Sequence, residues 1–137
     1  MANPIKPTAK TEFIPLLLII LALASSVYFY NNLPERVPTH WNFAGEVDAY
    51  GSGQTQAVVF PLLIVGMYFL FLFIPYLDPK KERYEQFSKI YHIFKSLIVG
   101  SMVVVYFIVG INGLGNNLPV GILMPGLIGL LFIILGN

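Results

Sequence analysis

Four runs without a single charged residue, Phe13–Tyr30, Ala57–Leu77, Ser96–Ile111 and Val120–Leu135, occupy most of this chain. A helix needs about 20 predominantly apolar residues to cross a hydrocarbon core of about 30 Å. The first two runs meet that length, and the last two meet it with their uncharged flanks, since no charge follows Lys95. In lipid, backbone groups must be satisfied within the segment, which leaves helices or closed barrels. No period-2 alternation marks the runs, so they read as helices. A soluble globule would need polar helix faces to cover its core, and these helices are apolar all round.

The expected fold is therefore an all-α membrane protein: a four-helix transmembrane bundle forming one domain over residues 1–137. Its spans fall at roughly 13–30, 57–77, 90–111 and 119–136, with a connecting loop at 31–56. Composition agrees, with 56% hydrophobic and 11% charged residues and no cysteine. The missing thiols exclude disulfides, thiolate metal sites and a cysteine nucleophile. A formal charge of +1 with no dense basic cluster gives no reason to expect nucleic acid as a partner.

Lys6, Lys10, Lys80, Lys81, Arg83, Lys89 and Lys95 lie before the first run or between the second and third, whereas Arg36 alone lies in the first loop. This asymmetry predicts cytoplasmic termini and an extracytoplasmic 31–56 loop. Ala22-Leu23-Ala24 resembles a signal-peptide cleavage site, but the apolar run continues past it to Tyr30, which favours an uncleaved anchor. No basic anchor follows the fourth run, so the chain reads as a piece of a longer protein.

Asp78 and Pro79 suit the N-cap and first position of a long third helix. Within it Tyr84, Phe87, Tyr91 and Phe94 form an aromatic stripe at helical spacing. With Lys80, Lys81 and Arg83 the stripe is a candidate face for a cytoplasmic regulator; the alternative is an interfacial aromatic belt. Asn112–Asn117 is a turn by composition, giving a tight helical hairpin of the third and fourth spans. Gly100 with Ser101, Gly121, Gly126 and Gly129 are expected to permit close helix approach, as are Ala22 and Ser26. Whether such approach is internal or between two copies is left open.

The 31–56 loop is the informative segment. Pro34 and Pro38 enforce extended backbone. Val37, Thr39 and Trp41 then share one face, and His40 and Asn42 the other. Asn42–Gly45 supplies turn residues, and Glu46–Tyr50 returns as a second strand. A small β-hairpin across the mouth of the bundle results, with Trp41, Phe43 and Tyr50 at the interface and Ser52 or Thr55 capping the second helix.

His40, Glu46 and Asp48 admit three readings: a weak metal set, hydrogen bonds that fix the loop, or a recognition surface. No metal or other cofactor is expected. Enzymatic activity is not expected either, because no HExxH, GxSxG or phosphate loop occurs. A small transporter would need ionisable groups deep in the bundle. Here Glu12 lies at the edge of the first run and Lys95 is expected to reach the interface by snorkelling.

Leu33-Pro34, Val37-Pro38-Thr39-His40-Trp41-Asn42, Gly45-Glu46-Val47-Asp48 and Tyr50-Gly51-Ser52 resemble the loop signature of the SdpI family, and Leu131–Asn137 resembles the start of that family's second conserved block. The resemblance implies a bacterial integral membrane protein, without catalytic residues, that confers immunity to a secreted antimicrobial peptide and relays a signal by holding a cytoplasmic repressor at the membrane. It implies that Pro38, His40, Trp41, Asn42, Gly45, Asp48 and Tyr50 form the recognition loop. Members of that family continue beyond the position of Asn137, so the Arg-containing remainder of the second block is missing. Beside this stand a structural or assembly subunit and, more weakly, a small transporter.

Overall fold

The computed structural model describes residues 5–79 and 83–136. Four helices and one hairpin follow in the order α1 (Ala9–Asn32), β1 (Arg36–Trp41), β2 (Val47–Ser52), α2 (Gly53–Leu77), α3 (Tyr84–Gly113) and α4 (Val120–Gly136). The first three helices are long and apolar enough to cross a membrane. α4, at 17 residues, is at the short limit for a span.

α1 begins where Thr8 and Thr11 cap one another. The Thr8 hydroxyl accepts from the Thr11 amide, and the Thr11 hydroxyl accepts from the Thr8 amide. This is a capping box with threonine in place of the usual Glu or Gln. Ser52 caps α2 by accepting the Thr55 amide. Asp78 departs from expectation. It ends α2 rather than starting the next helix, because a residue before proline is pushed to extended backbone. α3 begins at Tyr84 and carries one non-helical residue, Phe87.

α1, α2 and α3 pack together along narrow seams. The buried positions of α2 are Gly53, Ala57, Pro61, Ile64, Tyr68, Phe71 and Pro75, a repeat alternating mainly by 4 and 3. α3 buries Lys95, Val99, Val103 and Tyr106 in the same rhythm. This is the seam of a helix bundle. The core joins Ile19, Ala22 and Phe29 to Ala57, Ile64, Val99, Val103 and Tyr106. Large apolar side chains such as Phe13, Ile20, Leu62 and Phe73 point outward, as lipid-facing residues should. The chain is a multi-pass membrane protein.

Two prolines organise the seam. Pro61 has no N–H for the Ala57 carbonyl, and Pro75 has none for that of Phe71. In lipid such an orphan needs another donor. The hydroxyls of Ser26 and Tyr106 both donate to Ala57 O, at 2.7 and 3.1 Å. The Tyr91 hydroxyl donates to Phe71 O at 2.6 Å. Each proline on α2 thus creates an acceptor that a tyrosine on α3 fills.

Glycines mediate close approach, but mostly not those expected. A Cβ at Gly110 would stand 2.4 Å from the Phe29 ring, and one at Gly113 would meet Leu33 and Val37. A Cβ at Gly126 or Gly129 would meet nothing, and one at Gly100 only Leu18. The turn after α3 is tight, with the Asn112 side chain accepting from the Leu118 amide. Even so, α4 touches α3 sparingly and buries only Val120. Its small residues therefore have no close helical neighbour.

Candidate functional site: the hairpin and a buried charge cluster

The hairpin pairs Arg36 with Ser52, Val37 with Gly51 and Pro38 with Tyr50, then shifts register on either side of His40. Such irregularities re-aim side chains. The turn is built by Asn42. Its side-chain oxygen accepts the amides of Ala44 at 2.9 Å and Glu46 at 3.0 Å, and its carbonyl accepts the Gly45 amide. Gly45 takes a φ of +79° that few other residues adopt.

Three contacts seat the hairpin on the helices. Val37 is fully buried against Gly113. The Gly53 amide donates to the Glu35 carbonyl. At the tip, the Gly45 backbone lies against Gly121 so closely that a Cβ on Gly45 would come 3.0 Å from the Gly121 Cα. Gly121 therefore serves hairpin docking rather than helix packing.

The expected loop residues fall into two groups. His40 Nδ1 and Asp48 Oδ1 are 2.5 Å apart on the exposed side. Glu46 does not join them; its carboxylate accepts from the Asn42 side chain. Tyr50 lies half exposed with the Arg36 guanidinium 4.6 Å from its ring centre. Phe43 is completely exposed at the turn. His40, Trp41, Asn42, Gly45 and Asp48 line one rim of a cavity of about 570 Å³, and Phe60, Val109, Met124 and Ile128 are among its apolar walls. Pro38 sits in β1 opposite Tyr50, outside that lining. The arrangement offers a polar pair and aromatic side chains above an apolar recess.

At the other end of the bundle the aromatic stripe turns partly inward. Tyr84 is buried, and its hydroxyl donates to Asp78 at 3.1 Å. The Tyr84 ring packs on Phe87 and Tyr91, and Tyr91 and Phe94 meet Phe71. Arg83 is exposed and Phe87 is exposed at its edge. Lys80 and Lys81 lie outside the described residues.

A second polar site occupies the core near this end. Lys95 does not snorkel. It is 1% exposed, and its Nζ donates to both oxygens of Glu12 at 2.6 Å. The Tyr68 hydroxyl donates to Glu12 Oε2 at 2.8 Å and the Thr11 hydroxyl to Oε1 at 3.0 Å. His92 Nδ1 stands 3.6 Å from Glu12 Oε1 and is buried with no hydrogen-bond partner among the described residues. One carboxylate thus gathers donors from α1, α2 and α3. The expected snorkelling of Lys95 is overturned, while Glu12 stays in the first turn of α1. The reason is that Lys95, whose stem could reach water, finds a carboxylate 83 residues away in sequence at closer range. Mutual neutralisation makes the pair a clamp between helices.

Residues 17–65 match the family described as a domain of unknown function, DUF1648. The match runs from within α1, through the whole hairpin, into α2. No curated protein and no solved structure matches the chain.

Proposed function

We propose that this membrane protein recognises a secreted antimicrobial peptide through its hairpin, protects the cell that carries it, and relays occupancy to a cytoplasmic regulator. In this reading it is not an enzyme. The basic end of the bundle faces the cytoplasm and the hairpin faces outward, as the distribution of lysine and arginine favours. The observation that carries the reading is the His40–Asp48 pair held beside exposed Phe43 at the rim of an apolar recess. An amphipathic peptide has a matching apolar face and polar edge. Residues 33–52 carry Glu35, Glu46 and Asp48 against Arg36 alone, which favours a cationic peptide. The inward arm of the relay is the exposed edge at Arg83 and Phe87, which α3 joins directly to the seat of Val37.

The test is survival of a peptide-sensitive bacterium expressing the full chain, compared with His40→Ala and Asp48→Ala variants at matched membrane levels. Protection by the parent, lost in both variants, is the expected result. Equal survival with and without the parent across a panel of secreted peptides would overturn the reading.

A further inference from the structure

Between α4 and the α1–α3 face lies an open crevice of about 880 Å³, well separated from the hairpin. Its volume is within the range of about 300–1,000 Å³ usual for ligand sites. Three lysines, Lys6, Lys10 and Lys89, line it near the starts of α1 and α3. All three are exposed, and none takes part in an ion pair among the described residues. Of the described carboxylates nearby, Glu12 is already committed to Lys95, and Glu85, one turn before Lys89 on α3, is exposed and makes no ion pair with it. Thr11, Ser88, His92, Ser96 and Ser101 add polar groups to the lining, and Leu18, Leu97, Val104, Leu127 and Leu131 give the shaft its mainly apolar wall. From Lys89 to Val104 the lining follows α3 for about 22 Å, deeper than the roughly 15 Å of hydrocarbon in one leaflet.

A cationic mouth over a long apolar shaft, inside a membrane, has the chemistry of one ligand class. We infer that this crevice binds one anionic phospholipid of the adjacent leaflet, its phosphate among Lys6, Lys10 and Lys89 and an acyl chain along the shaft between α3 and α4. A free phosphate would leave the shaft empty, and a neutral lipid would leave three charges unanswered. The assignment goes beyond the peptide-recognition reading and is independent of it, since no hairpin residue lines the crevice.

Native mass spectrometry of the full chain, released from non-ionic detergent after exposure to phosphatidylglycerol or phosphatidylcholine, tests it. One phosphatidylglycerol should stay bound per chain, with a preference of at least about tenfold, given the attraction of each basic residue for anionic lipid. Exchanging all three lysines for glutamine (K6Q, K10Q, K89Q) should bring the preference to within about twofold. Gly100→Phe, which fills the shaft, should reduce retention of both lipids. Arg83→Gln, at the same end but outside the crevice, should leave retention unchanged. Thermal unfolding of each variant confirms that the bundle is intact. Equal retention of the two lipids by the parent would overturn the inference. So would an Arg83→Gln loss as large as the lysine loss, displacement by glycerol 3-phosphate alone, or a lipid-free dimer in which a second copy fills the groove.

Discussion

The Lys95 ammonium lies 2.6 Å from both carboxylate oxygens of Glu12, joining α3 to α1 inside the bundle. Separating two ions from water is costly, and removing one partner leaves the other charged and alone. Glu12→Gln should therefore lower unfolding free energy in mixed micelles by about 3–5 kcal/mol. Glu12→Gln combined with Lys95→Met, which removes both charges, should recover most of that loss. A single-variant loss below about 1 kcal/mol, the range of solvent-exposed pairs, would mean that water reaches the cluster.

The proline–tyrosine pairing is open to a double-mutant cycle. Tyr91→Phe strands the Phe71 carbonyl and should cost about 1–3 kcal/mol. Pro75→Ala supplies the missing N–H, so the same tyrosine change made in that background should cost markedly less. The coupling should be about 1 kcal/mol or more. Additive losses would show that the Tyr91 hydroxyl does not serve the carbonyl that Pro75 exposes.

Phe29 and Gly110 make a sensitive contact between α1 and α3. Gly110→Ala places a Cβ within 2.4 Å of the ring as it stands. Phe29 also packs edge-on against Tyr106 and Phe107, which limits its retreat. Overpacking of this kind costs about 1–3 kcal/mol, read as a lower unfolding midpoint. Gly126→Ala within α4, where a Cβ meets nothing, should instead raise stability by about 0.5–1 kcal/mol, since a helical glycine loses more backbone freedom on folding.

Asn42 holds the turn by accepting two amides with one side-chain oxygen. Asn42→Ala should loosen the hairpin, at a cost of about 1–2 kcal/mol to its local opening, by removing both bonds. Trp41 is the sole tryptophan and is adjacent to the turn, so its fluorescence and quenching report that opening without a label. Unchanged quenching in Asn42→Ala would show that backbone pairing alone sets the turn.

What the sequence discloses depends on how far apart the interacting residues lie. The spans were legible because each contains a long run with no charged residue. The hairpin was legible because Pro34, Pro38 and Asn42–Gly45 act on their own neighbours, and Ser52 as a cap is equally local. Glu12 and Lys95 each stand near the edge of an apolar run, where reaching water is the simpler expectation. Only the packing of α1 on α3 makes them partners. The carbonyls exposed by Pro61 and Pro75 did carry a signal: a proline in a lipid-embedded helix orphans the acceptor four residues earlier, and hydroxyl-bearing residues elsewhere in the bundle are the natural donors. The glycines of α4 misled because small residues permit close packing without requiring it.

The glycine-on-glycine seat of Gly45 against Gly121 has a mechanical consequence. The turn rests on the fourth helix with no side chain between the two backbones, so neither can shift far without disturbing the other. A single methyl group introduced at Gly121 would stand 3.2 Å from the Gly45 Cα, a tight wedge that lifts the turn slightly while leaving the strands, the motif and the three-helix core untouched.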